Sequence, residues 1–232
     1  MSSKRLRSAK RAASQWGLGS LERRWALLMV AGSIVLLILT SVVEGPKVAR
    51  QVWGLVGVKQ VEAHSAVICA AAAEGGIDPC LMAGIMYAES RGRVDAVSKA
   101  GALGLFQLMP VAASDAAKKL RLSEPSRDQL LSDPLLNARL AAVHLAWLYR
   151  NEGPDLERVL VAYNAGRGKL AKWLKEAGGW DKWRARHMER DDTGSLVYAQ
   201  EVLQFAQRFR ERGVVVAGAS GAAAPMVQAE AR

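Results

Sequence analysis

One glutamate in this chain is placed to do acid chemistry. The run Leu81–Ser90, LMAGIMYAES, is apolar or small until it meets Glu89, at what reads as a helix's C-terminal end. Apolar burial disfavours the carboxylate anion, and so does the negative end of a helix dipole. Both push the acid toward a group that holds a proton near neutral pH and can donate it. Alone, such a residue is more often an ordinary surface glutamate in a last turn. Two further stretches change the balance. Gly101–Gln107, GALGLFQ, is a glycine-punctuated loop able to bring backbone and the Gln107 amide close to a ligand. Ala162–Gly166, AYNAG, sets Tyr163 beside Asn164 at a helix end. One acid, two amides and a tyrosine suit a neutral substrate rich in hydroxyl and amide groups. Asp95, the nearest other acid in the sequence, has no motif around it and reads as a solvated loop charge.

The elements that must position these groups are helical by period and by caps. An apolar-faced helix spans 59–74 and stops at Gly75-Gly76; Pro79 opens a second through Ser90, and Pro110 a third. Asp133 caps a fourth, with Pro134 in its first turn and an apolar stripe through Leu136, Leu140, Val143, Trp147 and Leu148. Pro154 opens a fifth that ends at Gly166; shorter pieces carry Trp173 and Trp183, and a last helix runs over 195–212. A small hairpin over 96–107 is the most β structure the sequence suggests. The expected class is mainly α. His64, His144 and His187 share no metal-ligand spacing and read as structural residues, and neither a metal nor a cofactor is called for.

Taken in order, AES, GALGLFQLMP, DPLLNARLAAVHLAWL and AYNAG resemble the soluble lytic transglycosylases of bacterial cell walls, over about residues 60–205. The resemblance implies a lysozyme-like helical domain related to goose-type lysozyme. It also implies peptidoglycan glycan strands as substrate, cut between N-acetylmuramic acid and N-acetylglucosamine with a 1,6-anhydro product. By that resemblance Glu89 is the single catalytic acid and base, and Ser98, Gln107, Tyr163, Asn164 and Tyr198 are the substrate-site residues. Gly92, Arg93 and Val94 depart from the family's usual aromatic and Asn-Pro after the acid, and Phe106 stands where Met is usual. The final motif's Glu-Thr is replaced by Gly194-Ser195, unless Asp192-Thr193 serves through a two-residue slip. Two alternatives stay open: a lysozyme-type muramidase, and a non-catalytic wall-binding component of a secretion or conjugation apparatus. Arg91, Arg93 and Lys99 either meet acidic peptide stems or form a solvated basic loop.

Composition bounds the rest. The 232 residues are 50% hydrophobic and 23% charged, which excludes whole-chain disorder and collagen-like structure. Of the net charge of +10, residues 1–24 hold +6, seven basic residues against Glu22. Residues 25–43 then run nineteen positions without a charge, long enough as a helix to cross a bilayer's hydrocarbon core. A basic arm before an apolar run places the N-terminus in the cytoplasm and the rest outside, at the bacterial inner membrane and in the periplasm. A cleaved signal peptide competes, but its apolar region is usually about 7–15 residues with a small-x-small site. This one is longer and ends in Ser41-Val42-Val43, so it reads as an uncleaved transmembrane anchor in contact with membrane lipid. The expected organisation is a basic arm over 1–24, a transmembrane helix over 25–43, a stalk over 44–58, the domain over 59–212 and a disordered tail over 213–232. Cys69 and Cys80 form either a disulfide stapling two helices or two buried thiols. Outside the arm the charge is weak and no base-reading motif is present, which argues against a nucleic-acid partner.

Overall fold

The computed structural model describes residues 56–190 and 194–213, together with Met29. The expected basic arm, the apolar segment apart from Met29, residues 44–55 of the stalk, Asp192-Thr193 and the tail beyond Gly213 lie outside the described residues. Among the described residues no helix is long and apolar enough to cross a membrane.

Nine helices are named here: α1 (Ser65–Gly75), α2 (Pro79–Ser90), α3 (Pro110–Lys119), α4 (Arg127–Ser132), α5 (Pro134–Glu152), α6 (Leu156–Ala165), α7 (Arg167–Ala177), α8 (Trp180–Arg190) and α9 (Gly194–Arg212). A helical run over 56–63 precedes α1, and the two are separated by a turn at His64 where one continuous helix was expected. Gly76 ends α1 in the left-handed conformation, φ 65°, as its glycine pair suggested.

The centre of the fold is α2. Asp78 caps it, accepting from the Cys80 amide at 2.9 Å, and Pro79 occupies the first turn where a missing N–H costs nothing. Every residue from Cys80 to Tyr87 is buried, so the helix is apolar on all sides. Burial of each large side chain in such a run contributes roughly 1.5–3 kcal/mol. Gly84 lets α9 cross closely, because a Cβ there would lie 2.5 Å from the Val202 carbonyl oxygen. Gly75 does the same for α1 against α5, where a Cβ would meet that of Ala142 at 2.8 Å. Asp133 caps α5 through the Leu136 amide at 2.9 Å. Asp155 rather than Pro154 starts α6, accepting from the Arg158 amide at 3.1 Å. The expected hairpin over 96–107 is reduced to two isolated antiparallel bridges, Val97 with Leu103 and Leu103 with Leu108.

Cys69 and Cys80 are present as thiols, so the disulfide considered for them is not made in this structure. Burial, with the charge of Asp78 adding to it, pushes the Cys80 thiol up to about 11. Cys80 is buried and Cys69 half-buried.

Candidate active site

Glu89 is the penultimate residue of α2, and the turn behind it is tightly determined. Arg91 caps the helix in the left-handed region, φ 55°, and its amide donates to Met86 and Tyr87 carbonyls at 3.1 Å. Gly92 follows at φ 79°, where a Cβ would come within 2.8 Å of the Gln60 backbone. Ser90, buried, turns inward: its hydroxyl donates to the Leu105 carbonyl at 2.7 Å and accepts from the Gly92 amide at 3.1 Å. The residue after the acid thus ties the helix end to the glycine-rich loop. Ser90 was not singled out from the sequence, because its partner is fifteen positions away.

Asn137 on α5 holds the same loop from the other side. Its amide nitrogen donates to the Leu103 and Leu130 carbonyls, each at 3.1 Å, and its oxygen accepts from the Phe106 amide at 3.0 Å. Gly104 makes room for it, since a Cβ at that position would stand 2.3 Å from Asn137 Nδ2. With Phe106 fixed, its carbonyl accepts from the Tyr163 hydroxyl at 2.9 Å. Gln107, in the left-handed region at φ 46°, donates its amide to the Ala96 and Gly104 carbonyls at 2.9 and 3.0 Å. Its side-chain nitrogen is therefore occupied within the loop, and Oε1 is the group it offers a ligand.

Electrostatics single out the acid. Burial raises Glu89 to about 7, against an opposing hydrogen bond from the Tyr198 hydroxyl, which donates to Oε1 at 2.7 Å. With Oε1 accepting, the acid's proton belongs on Oε2. Among the described residues no other carboxylate is close enough to perturb Glu89; Asp95 is exposed. Tyr163 and Tyr198 are both raised well above the ordinary phenol value, by burial first and then by the charge of Glu89. Both stay protonated and serve as donors.

Two expectations follow from this arrangement. In Tyr198→Phe the bond that lowers the Glu89 pKa is gone, so the alkaline limb of kcat/KM moves to higher pH. A hydrogen bond to a charged group is worth about 1.5–3 kcal/mol, so kcat falls roughly tenfold or more. An unmoved limb would contradict the contact. The second concerns stability. The unfolded chain gives up this proton near pH 4.5, whereas the folded chain keeps it to about 7. Between those values the wild type loses stability as pH rises, up to about 3 kcal/mol, and the loss levels off above them. Melting temperatures should therefore show Glu89→Gln gaining on the wild type from pH 4 to pH 8. A constant gap would contradict the raised pKa.

A cavity of about 460 Å3 has a lining that includes Gln107, Tyr163, Asn164, His144, Trp147 and Arg167; Glu89 is not in that lining and is linked to it through Tyr163, on whose phenol its charge acts. Three of the expected site residues, Gln107, Tyr163 and Asn164, line it together. Tyr198 reaches the site through Glu89, and Asn164 is oriented by Ser195, whose hydroxyl donates to its side-chain oxygen at 2.8 Å. Ser98 is not part of this lining; its hydroxyl accepts from the Ala102 amide at 2.9 Å and shapes the 98–102 turn. Arg91 lies over the Tyr87 ring at 5.5 Å and Arg93 donates to the Ser90 carbonyl, so neither is bonded to the acid. His64 and His187 each contact a backbone carbonyl, of Gly92 and Trp183. His144, read from sequence as structural rather than metal-binding, lines the cavity.

Residues 66–185, just over half of the chain, match the family described as the transglycosylase SLT domain. A putative soluble lytic murein transglycosylase of Haemophilus influenzae is 30% identical over 132 residues, 57% of this chain and 22% of the relative. Membrane-bound lytic murein transglycosylase C of Actinobacillus succinogenes is 36% identical over 107 residues, 42% of this chain and 29% of the relative. Among solved structures, an inactive mutant of the lytic transglycosylase Slt from Pseudomonas aeruginosa superposes with a TM-score of 0.57 at 29% identity. That match covers 66% of this chain and 25% of the other. The chain thus spans between a fifth and a third of the length of these relatives.

Proposed function

The chain belongs to the transglycosylase SLT domain family, and we propose that it is a peptidoglycan lytic transglycosylase with Glu89 as its one acid and base. The observation that carries this reading is a half-buried glutamate raised to about 7 by desolvation and hydrogen-bonded by Tyr198. Protonated Glu89 donates from Oε2 to the glycosidic oxygen between N-acetylmuramic acid and N-acetylglucosamine as that bond breaks with oxocarbenium character. The muramyl 6-hydroxyl then attacks C1, and the Glu89 carboxylate takes its proton. Atoms balance without water, and the product is a 1,6-anhydro sugar. Tyr198 supports the carboxylate in the interval when it is charged. Gln107 Oε1, Tyr163 and Asn164 contact the strand within the cleft, and Ser98 does so from the loop.

A hydrolase of the ordinary kind needs a second carboxylate, about 5 Å away if retaining and 6.5–9.5 Å if inverting. No carboxylate is among the causes of the Glu89 shift, which favours the single-acid route. The charge-free run over 25–43 behind its basic arm supports a tether at the inner membrane, with the catalytic domain on the wall side. Fractionation tests that tether: the full chain should sediment with membranes and stay there in high salt.

The activity is tested by mass analysis of sugars released from purified peptidoglycan. The wild-type chain should release anhydro-muramyl products that Glu89→Gln does not. Reducing-end products would make it a muramidase, and no release would make it a wall-binding protein.

A further inference from the structure

Resting on the transglycosylase reading, we propose that His64, at the end of the helical run over 56–63, is a positioning residue for the reaction. It fixes the turn that follows Glu89 and so keeps the acid on the Tyr198 hydroxyl.

The run meets that turn at helical spacing. At Gly57 a Cβ would lie 3.1 Å from both the Arg91 Cβ and the Tyr87 ring, so a bare glycine lets the two pass closely. One turn on, Gln60 and Val61 press on Gly92, whose own Cβ would come within 2.8 Å of the Gln60 backbone and 2.9 Å of the Val61 nitrogen. A further turn on, His64 Nε2 stands 3.1 Å from the Gly92 carbonyl oxygen. Positions 57, 60, 61 and 64 share one face of a helix, and Val61 among them is fully buried.

His64 precedes α1, at the position from which a side chain commonly caps a helix, yet its ring makes no capping bond. Its partner lies twenty-eight residues along the chain. A carbonyl only accepts, so Nε2 carries the proton in this bond. From Gly92 the connection reaches the acid's neighbour, because the Gly92 amide donates to Ser90 Oγ and that hydroxyl donates to the Leu105 carbonyl.

The turn needs such support. Arg91 is left-handed without being a glycine, a conformation that persists only where the surroundings over-determine it. The glycine-rich loop holds Ser90, the last carbonyls of α2 hold the Arg91 amide, and His64 holds Gly92. The first two anchors lie within residues 66–185, the span matched to the family, whereas His64 and the run before it lie ahead of that span. Glu89 adjoins the held turn directly, so slack in the turn becomes slack in the carboxyl. Proton transfer is sensitive to displacements of about 1 Å, which is what gives a bond three residues away its leverage.

The test measures sugar release from purified peptidoglycan by the full chain. His64→Ala should lower kcat about fivefold and leave KM in place, because His64 is not in the cavity lining. His64→Phe keeps a ring without the donor and should fall as far. His64→Gln, whose Nε2 can still donate to Gly92, should return to within about twofold of wild type. His187→Ala is the control: it removes a histidine contact with another backbone carbonyl, that of Trp183 at 2.7 Å, and should leave kcat unchanged. Coupling separates positioning from mere stability. In a Tyr198→Phe background His64→Ala should cost less than about twofold in kcat, since the bond it steadies is already gone, while any fall in melting temperature should be the same in both backgrounds. Losses of kcat that simply multiply, or His64→Phe cleaving at the wild-type rate, overturn the proposal. If the coupling holds but the products have reducing ends, the transglycosylase reading alone fails. If the wild-type chain cleaves nothing, the proposal falls together with that reading.

Discussion

Glu89→Gln should lower kcat by about 10³–10⁴-fold while leaving strand binding nearly intact, because the side chain keeps its shape and loses only its proton chemistry. General acid–base catalysis by one positioned group is typically worth about 10²–10⁴-fold. In the proposed reaction the same carboxyl serves both halves, as donor to the leaving oxygen and as acceptor from the 6-hydroxyl, so the loss belongs at the upper end. The substituted amide can still accept from Tyr198, the hydrogen bond that the native carboxyl makes among the described residues. Single-turnover cleavage and equilibrium binding, measured side by side, separate the two effects. A loss of binding as large as the loss of cleavage would mean that Glu89 holds substrate instead of transferring protons.

Asn137→Ala should destabilise the domain by about 3–5 kcal/mol, the range expected when a buried polar residue is truncated and its partners are stranded. The Phe106 amide loses the partner it has here, and the Leu130 carbonyl loses its bond from Nδ2. The Leu103 carbonyl is less affected, because it also accepts from the Leu108 amide. For a domain of this size the melting temperature should fall by roughly 10 °C. Cleavage in the folded fraction should fall as well, since Phe106 carries the carbonyl that holds Tyr163 and adjoins Gln107. Asn137→Asp separates the hydrogen bonds from the volume. It keeps an acceptor for Phe106 but sets an anion against the Leu103 and Leu130 carbonyls, so it should be no better than Ala. A melting temperature within a degree or two of wild type for either substitution would contradict the role assigned to Asn137.

What the sequence made legible was local. Pro79, Pro110 and the Asp133-Pro134 pair mark helix starts that the structure reproduces, because caps and first-turn prolines act within three or four residues. Pro154 misled by one such step: Asp155 supplies the cap and α6 begins after it. The six-residue α4 was missed, although Ser126 and Gln129 form a capping box that was readable at that spacing. Glu89 stood out because an apolar run leading into an acid is unusual in one short window. Ser90 and Asn137 did not, since their hydrogen bonds reach fifteen and more than thirty residues along the chain. His144 lies on a helix whose period explains its burial equally well as core, and only the packing of Tyr163 and Trp147 beside it shows the cavity. Charge was legible as a total and misleading as a map. Arg91, Arg93 and Lys99 drew attention by sequence proximity to the acid, whereas the cations over the Trp147 ring, Lys119 and Arg167, come from α3 and α7.

The central claim is that one carboxyl and an internal hydroxyl cut the strand without water. Cleavage of purified peptidoglycan by the full chain in water enriched in oxygen-18 tests it most directly. On the proposed mechanism, the muropeptides released should carry no label at the new muramyl end and should be one water lighter than hydrolysed fragments. One labelled oxygen for each bond cut would contradict the account and require a nucleophilic water that the described site does not position.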